Sequence, residues 1–193
     1  MHLGNFIKNI DKKYYNLKFS GLAFNSKKVK KGNIFFAFKG NKFDGKRFIP
    51  EAIKRGAKVI VTDKSFELNN KNIILIKNKN PRKLLSELSY KFLRKRPKNL
   101  IAVTGTNGKS SVADFFYQIL SLNKEKSASI GTVGIQFENK SKLIEKTTLD
   151  PIKLREVINY LTKKKISNII LEASSHGLKQ NRLDGLKFNS GIF

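Results

Sequence analysis

Gly108, Lys109 and Ser110 stand side by side, and these are residue types that grip a nucleotide's phosphates. An apolar run from Leu100 to Val103 precedes them and stops at Gly105. A helical pattern follows, from Val112 to Leu122. Strand, glycine loop and helix form the setting in which a phosphate-binding loop works. Glycines let backbone N–H groups turn inward around phosphate oxygens, and the helix N-terminus adds unpaired donors and partial positive charge. The stretch Gly105, Thr106, Asn107, Gly108, Lys109, Ser110 and Ser111 therefore predicts nucleotide binding. Lys109 would reach the terminal phosphates, and the Ser110 hydroxyl would sit on Mg²⁺. The full pattern G-x-x-x-x-G-K-[ST] has a glycine where this chain has Val103, so the loop is a tighter variant built on Gly105. The plain alternative is a strand–helix turn with an incidental Gly-Lys-Ser.

A second candidate lies downstream. Glu172 closes the apolar stretch Asn168 to Leu171, at the strand end where ligands of open α/β sheets bind. A carboxylate there can hold Mg²⁺ directly or through water, and a capping or ion-paired Glu is the alternative. His176, in a Ser-Ser-His-Gly turn, can contact phosphate or serve only the loop. Thr147 and Thr148 offer paired hydroxyls for a ligand or a helix cap. Arg182, with Gln180, makes a fork of donors suited to an anion.

The elements that must position these residues can be read along the chain. Residues 1–20 mix lysine with Phe6, Ile7, Ile10, Tyr14, Tyr15, Leu17 and Phe19, predicting a helix and then a loop. Ile34 to Phe38, Lys58 to Thr62 and Asn72 to Ile76 read as strands, the last two buried. Phe48 to Arg55 reads as a short helix stopped by Gly56, and Pro81 opens another with Leu84, Leu85, Leu88 and Phe92 at helical spacing. The basic Arg94 to Lys98 reads as a linker. Ser127 to Thr132 is a strand, and Val133 to Phe137 with Lys142 to Ile144 a hairpin. Asp150 caps a helix that begins at Pro151 and carries Ile152, Val157, Ile158 and Leu161 on its apolar face. Phe188 to Phe193 starts one more strand and stops, which suggests a piece of a longer protein. The fold class is α/β. A small domain over 1–97 precedes a truncated, mainly parallel phosphate-loop domain over 98–193.

Composition narrows the function classes. The chain of 193 residues has no Cys and two His, which removes disulfides, thiolate metal sites and multi-histidine centres. It has no apolar run of membrane-spanning length and no signal-peptide core, so a cytoplasmic protein without membrane contact is expected. The net charge is +26. Residues 1–97 carry 25 Lys and Arg against 6 Asp and Glu, whereas residues 98–193 carry 15 against 8. Such a surface attracts polyanions, nucleic acid or an anionic small substrate. The lysines are scattered and are not interleaved with an RNA-binding aromatic signature, so compositional bias explains them better than nucleic-acid binding.

Taken together, Thr104-Gly-Thr-Asn-Gly-Lys-Ser110, Gly131-Thr-Val-Gly134, Thr147-Thr148 and Glu172-Ala-Ser-Ser-His-Gly-Leu-Lys-Gln-Asn-Arg182 resemble the Mur ligases. Phe24-Asn-Ser-Lys27, Gly32-Asn-Ile-Phe-Phe-Ala-Phe-Lys-Gly40 and Asp44-Gly-Lys-Arg-Phe-Ile-Pro50 resemble that family's UDP-binding domain. The resemblance covers residues 20–193. The Glu-x-Ser-Ser-His-Gly-Leu run is specific to the branch that adds the third amino acid of the peptidoglycan stem, while the phosphate loop alone is shared with folylpolyglutamate synthases.

The resemblance implies ATP-dependent amide ligation through an acyl phosphate, on UDP-N-acetylmuramoyl-dipeptide and an amino acid. Lys109 and Glu172 would be the catalytic residues, and Ser110 with Glu172 would hold Mg²⁺. Phe24, Ser26, Asn41, Lys42 and Phe43 would contact the uridine diphosphate. Thr147, Thr148, Ser174, Gln180 and Arg182 would hold the sugar–peptide part. A monomer is expected. Asn25-Ser26-Lys27 stands where the family has Asp-Ser-Arg, and Lys146 and Leu149 also depart from its pattern. The family's next segment, with a second metal ligand and a carbamylated lysine, and its amino-acid-binding domain lie outside these 193 residues. Residues 1–193 alone are therefore expected to bind nucleotide without completing ligation. The alternatives are another Mur-type ligase (dipeptide-adding or folylpolyglutamate-like), a basic nucleic-acid-binding module without catalysis, and a decayed fragment.

Overall fold

A computed structural model describes residues 1–7, 11–40, 43–144 and 146–193. The chain divides into two compact units, Met1–Lys91 and Phe92–Phe193. The segment read as a linker packs within the second unit, where the Arg94 N–H donates to Asn159 Oδ1 at 2.9 Å.

The first unit is a four-stranded parallel sheet in the order β1 (Gly21–Ala23), β2 (Asn33–Phe36), β3 (Val59–Thr62), β4 (Ile74–Lys77). Strands β2 and β3 are buried at every position, as continuous apolar runs in a covered parallel sheet must be. Strand β4 was expected to be buried and is half-exposed, because it pairs only with β3 and forms the edge. Helix α1 (Ile49–Lys54) has Pro50 in its first turn and ends as the Gly56 N–H donates to Ile53 O, with Gly56 at φ +97°. Helix α2 (Pro81–Lys91) buries Leu85 and Leu88 on its apolar face. Phe35, Ile60, Ile49 and Ala52 form the core between sheet and α1. The helix expected in residues 1–20 is replaced by two 3-10 turns, Leu3–Asn5 and Lys12–Tyr14. Asp11, whose side chain accepts from the Lys13 N–H, opens the second turn, and Ile10 lies outside the described residues.

The second unit holds a six-stranded sheet. Its strands are β5 (Asn99–Val103), β6 (Ser127–Gly131), β7 (Gly134–Phe137), β8 (Lys140–Lys142), β9 (Asn168–Glu172) and β10 (Ser190–Ile192). The order is β10-β5-β9-β6-β7-β8, parallel from β10 to β6 and antiparallel through the β7–β8 hairpin. The mainly parallel α/β class is as expected. The second hairpin strand comes two residues earlier than expected. Glu138 and Asn139 both take positive φ, 49° and 56°, and make a two-residue turn that pairs Phe137 with Lys140.

Helix α3 (Lys109–Leu122) crosses the β6 and β9 strands. Helix α4 (Pro151–Lys163) begins as expected, with Asp150 Oδ1 accepting from the Lys153 N–H at 2.9 Å. Its buried face includes Leu154, which the sequence reading passed over. Helix α5 (Ser175–Lys179) follows β9.

Candidate active site

The alternation of side chains along a strand decides where Glu172 goes. Residues two apart share a face, so Glu172 stands on the same side as Ile170. Ile170 packs with Val103 and with Ala113 of α3. Register pairs Ile101 with Ile170 and Val103 with Glu172, so the carboxylate rises at the C-terminal edge beside the start of α3. The same edge carries the loop after β5 and the end of β6. Gly105 (φ +134°) and Gly108 (φ +79°) bend this loop into α3, and Gly108 is its left-handed N-cap. A Cβ on Gly108 would meet nothing within 4 Å, so the loop is open on that side.

Three donors converge on the Glu172 carboxylate, which is 2% exposed. Oε1 accepts from the Thr132 N–H at 2.9 Å. Oε2 accepts from the Thr132 hydroxyl at 3.0 Å and from the Ser110 hydroxyl at 3.1 Å. No ion pair of Glu172 occurs among the described residues, and its carboxylate is met by two hydroxyls and one amide. A buried carboxylate beside a serine hydroxyl, both oxygen donors, suits a hard divalent cation such as Mg²⁺ sharing phosphate oxygens. Among the described residues no cluster of three His, Cys, Asp or Glu forms a metal cage. Lys109 curls back over its loop, donating to Gly105 O at 2.7 Å and Thr106 O at 3.1 Å. Its ammonium thus lies at the loop mouth, where a phosphate can take over from the two carbonyls.

Thr147, Thr148, Ser174, Gln180 and Arg182, which the resemblance groups, lie together in the fold. Thr148 is buried, and its hydroxyl donates to Glu172 O at 2.9 Å. That spends its one proton, so it accepts from Ser174 Oγ at 3.0 Å and from the Ser174 N–H at 2.9 Å. The Arg182 guanidinium donates to Thr148 O and, through Nε and Nη2, to Gln180 Oε1 at 3.2 and 2.7 Å. Burial pushes the Arg182 pKa down from its ordinary value. Gln180 Nε2 then faces His176 Nε2 at 2.7 Å, so that ring nitrogen accepts. Thr147 is half-exposed and its hydroxyl meets Thr132 Oγ1 at 3.0 Å. Thr132 was not singled out by sequence reading. Only its position after Gly131, inside a quoted motif, pointed to it.

In the first unit, Phe24 and Phe38 follow β1 and β2 at the C-terminal sheet edge. Their rings stack at 6.2 Å and 16°, and Arg82 lies 4.5 Å from the Phe38 ring centre. Phe43 is 64% exposed and meets Phe48 edge-on at 6.4 Å. Ser26 is buried and donates to Glu51 Oε2 at 2.6 Å. Asn41 and Lys42 lie outside the described residues. Phe38 stood only inside a strand run and a quoted motif, and Arg82 was not singled out. Their approach spans 44 residues, which no local pattern signals.

A parallel sheet whose C-terminal edge carries a glycine loop, a helix N-terminus and a facing carboxylate is the architecture of phosphate-loop proteins. The Mur ligase middle domain matches residues 103–193, and the Mur ligase family catalytic domain matches residues 18–93. The chain belongs to the Mur ligase family.

It is 43% identical over 192 residues to the UDP-N-acetylmuramoyl-L-alanyl-D-glutamate--2,6-diaminopimelate ligase of Rickettsia montanensis, covering 96% of this chain and 39% of that protein. To the ligase of the same name from Wigglesworthia glossinidia brevipalpis it is 41% identical over 185 residues, with 92% and 37% covered. A solved structure of a ligase so named superposes with a TM-score of 0.84 at 27% identity, over 99% of this chain and 39% of that one. The MurF ligase of Thermotoga maritima, solved in complex with ADP, shares the fold at a TM-score of 0.51 and 24% identity, over 80% and 32%. The chain spans about two fifths of the length of the relatives it matches.

Proposed function

We propose that this chain is part of an ATP-dependent amide ligase of peptidoglycan synthesis, adding the third amino acid to UDP-N-acetylmuramoyl-L-alanyl-D-glutamate. The observation that carries the reading is the 3.1 Å contact between Ser110 of the phosphate loop and the buried carboxylate of Glu172. The relatives' names supply the substrate and point to 2,6-diaminopimelate as the incoming amino acid. No helix among the described residues is long and apolar enough to cross a membrane.

In this reading residues 1–97 take the UDP end, through Phe24, Ser26, Phe43 and the adjacent Asn41 and Lys42. The basic bias of that stretch suits a multiply anionic ligand. Thr147, Ser174, Gln180 and Arg182 present the sugar–peptide part, with Thr148 as the buried hub that ties them to Glu172. Lys109 releases its two loop carbonyls and takes phosphate oxygens, and the loop amides stabilise charge on the transferring group. Ser110 and Glu172 would hold Mg²⁺, which would supply charge neutralisation to the transferring phosphoryl group.

The free carboxylate of the substrate attacks the γ-phosphorus, and the bond to ADP breaks. The amine of the incoming residue then attacks the acyl phosphate, forming C–N as phosphate leaves. Residues 1–193 supply the groups that bind the ligands of the first step.

Calorimetry of ATP binding with Mg²⁺, on the wild type and Lys109→Ala, tests this, with UDP-N-acetylmuramoyl-dipeptide titrated separately. Lys109-dependent ATP binding together with binding of the UDP ligand is expected. A folded chain that binds neither would overturn the reading.

A further inference from the structure

Thr132 touches Glu172 twice, once through its backbone N–H and once through its hydroxyl, and the hydroxyl also meets Thr147. Proton counting fixes the direction of this chain. The Thr132 hydroxyl has a single proton, and it donates that proton to Glu172 Oε2. The 3.0 Å contact with Thr147 must then be a bond that Thr147 donates. The order is Thr147 O–H to Thr132 O–H to Glu172. Each bond polarises the next, which strengthens the donor at the carboxylate.

Ser110 shares Oε2 with Thr132. Once Ser110 turns to a cation, Thr132 is the remaining donor seen on that oxygen. The N–H on Oε1 and the hydroxyl on Oε2 grip both oxygens from one residue, and this sets the plane of the carboxylate. A second tie runs from the same threonine pair, because the Thr148 hydroxyl donates to the backbone oxygen of Glu172. The threonine segment before α4 therefore meets Glu172 at its side chain, through Thr132, and at its main chain.

We propose that Thr132 is the positioning residue that aims the Glu172 carboxylate, and that its hydroxyl couples Thr147 to the metal end of the nucleotide site. A ligand oxygen that draws the Thr147 proton withdraws the incoming bond from Thr132 and so alters the hold on Glu172. Occupancy of the threonine segment and cation binding are thereby linked. The inference rests on the nucleotide-binding reading above.

The test is the ratio of ATP affinity with Mg²⁺ to affinity in EDTA, measured by calorimetry on the wild type, Thr132→Val, Thr132→Ser, Thr147→Ala and the Thr132→Val/Thr147→Ala double variant. Removing a group that orients a metal ligand typically weakens metal binding by about 10-fold or more, so the ratio is expected to fall about 10-fold in Thr132→Val. Thr132→Ser keeps the hydroxyl and restores the ratio. Thr147→Ala lowers it less, and adds nothing in the Thr132→Val background. An unchanged ratio in Thr132→Val overturns the proposal, as does a parallel loss in both buffers or full additivity with Thr147→Ala. If wild-type ATP binding is absent or indifferent to Lys109→Ala, the nucleotide reading itself fails, an outcome distinct from these.

Discussion

The Glu172 carboxylate occupies the space that a side chain at residue 131 would need: a Cβ built on Gly131 lies 2.0 Å from Glu172 Oε1. Gly131 is not among the residues with positive φ, so a larger residue is barred by the carboxylate and not by the backbone. Gly131→Ala should push Glu172 off the Thr132 N–H and away from Ser110. Mg²⁺-dependent ATP binding is expected to weaken about 10-fold or more, the scale of a displaced metal-site group. Calorimetry measures the loss, and an unchanged far-ultraviolet circular dichroism spectrum shows that the sheet survives.

Thr148 predicts a stability effect. Its hydroxyl makes one donated and two accepted bonds in a buried setting. Thr148→Val keeps the shape but leaves Glu172 O without this donor and the Ser174 N–H without this acceptor. Leaving buried groups unsatisfied costs about 1–3 kcal/mol, so the variant should lose about 2 kcal/mol in a urea titration. A loss under about 0.5 kcal/mol would show that water reaches these groups.

Arg182 is held as a planar fork, with Nη1 on Thr148 O and both Nε and Nη2 on Gln180 Oε1. Lysine offers a point charge and cannot reproduce that geometry. Arg182→Lys should therefore free Gln180 and His176, and weaken UDP-N-acetylmuramoyl-dipeptide binding while ATP binding persists. Separate titrations of the two ligands resolve this. Equal weakening of both would mean that the fork supports the whole loop and not the substrate side.

The chemistry of the second unit was legible where it is local. Gly105 to Gly108 sits between a strand and a helix as its pattern requires, although the helix begins at Lys109, three residues earlier than the expected Val112, and Asp150-Pro151 opens α4 as cap and first residue. Glu172 lies at the end of an apolar strand, as its place in the sequence indicated. What escaped was long-range. Thr132 contacts a carboxylate 40 residues away, and Arg182 reaches a carbonyl 34 residues away. Neither separation leaves a periodic trace. The N-terminal stretch misled for another reason: its apolar residues have mixed spacing, and the Asp11 side chain favours a turn over a helix.

Glu51 gives a prediction about pH. The Ser26 hydroxyl, and after it Arg55 at 3.0 Å, hold its carboxyl below the ordinary glutamate range. A depressed folded pKa favours the folded chain while the group is ionised. That contribution is complete above the ordinary value, about 4.3. Below it the unfolded chain takes up its proton first, and the contribution shrinks until the folded carboxyl also protonates. Ser26→Ala removes the main cause, so the folded pKa moves back toward the ordinary value and this part of the acid sensitivity shrinks. Urea midpoints of wild type and Ser26→Ala should differ more at about pH 7 than at about pH 3, where the unfolded chain has already taken up the proton. Asp63 is lowered as well, by Ser65 and Lys46, so the variant retains some acid sensitivity. An equal gap at the two pH values would mean that the Ser26 bond is indifferent to the charge on Glu51, and that the serine acts by packing alone.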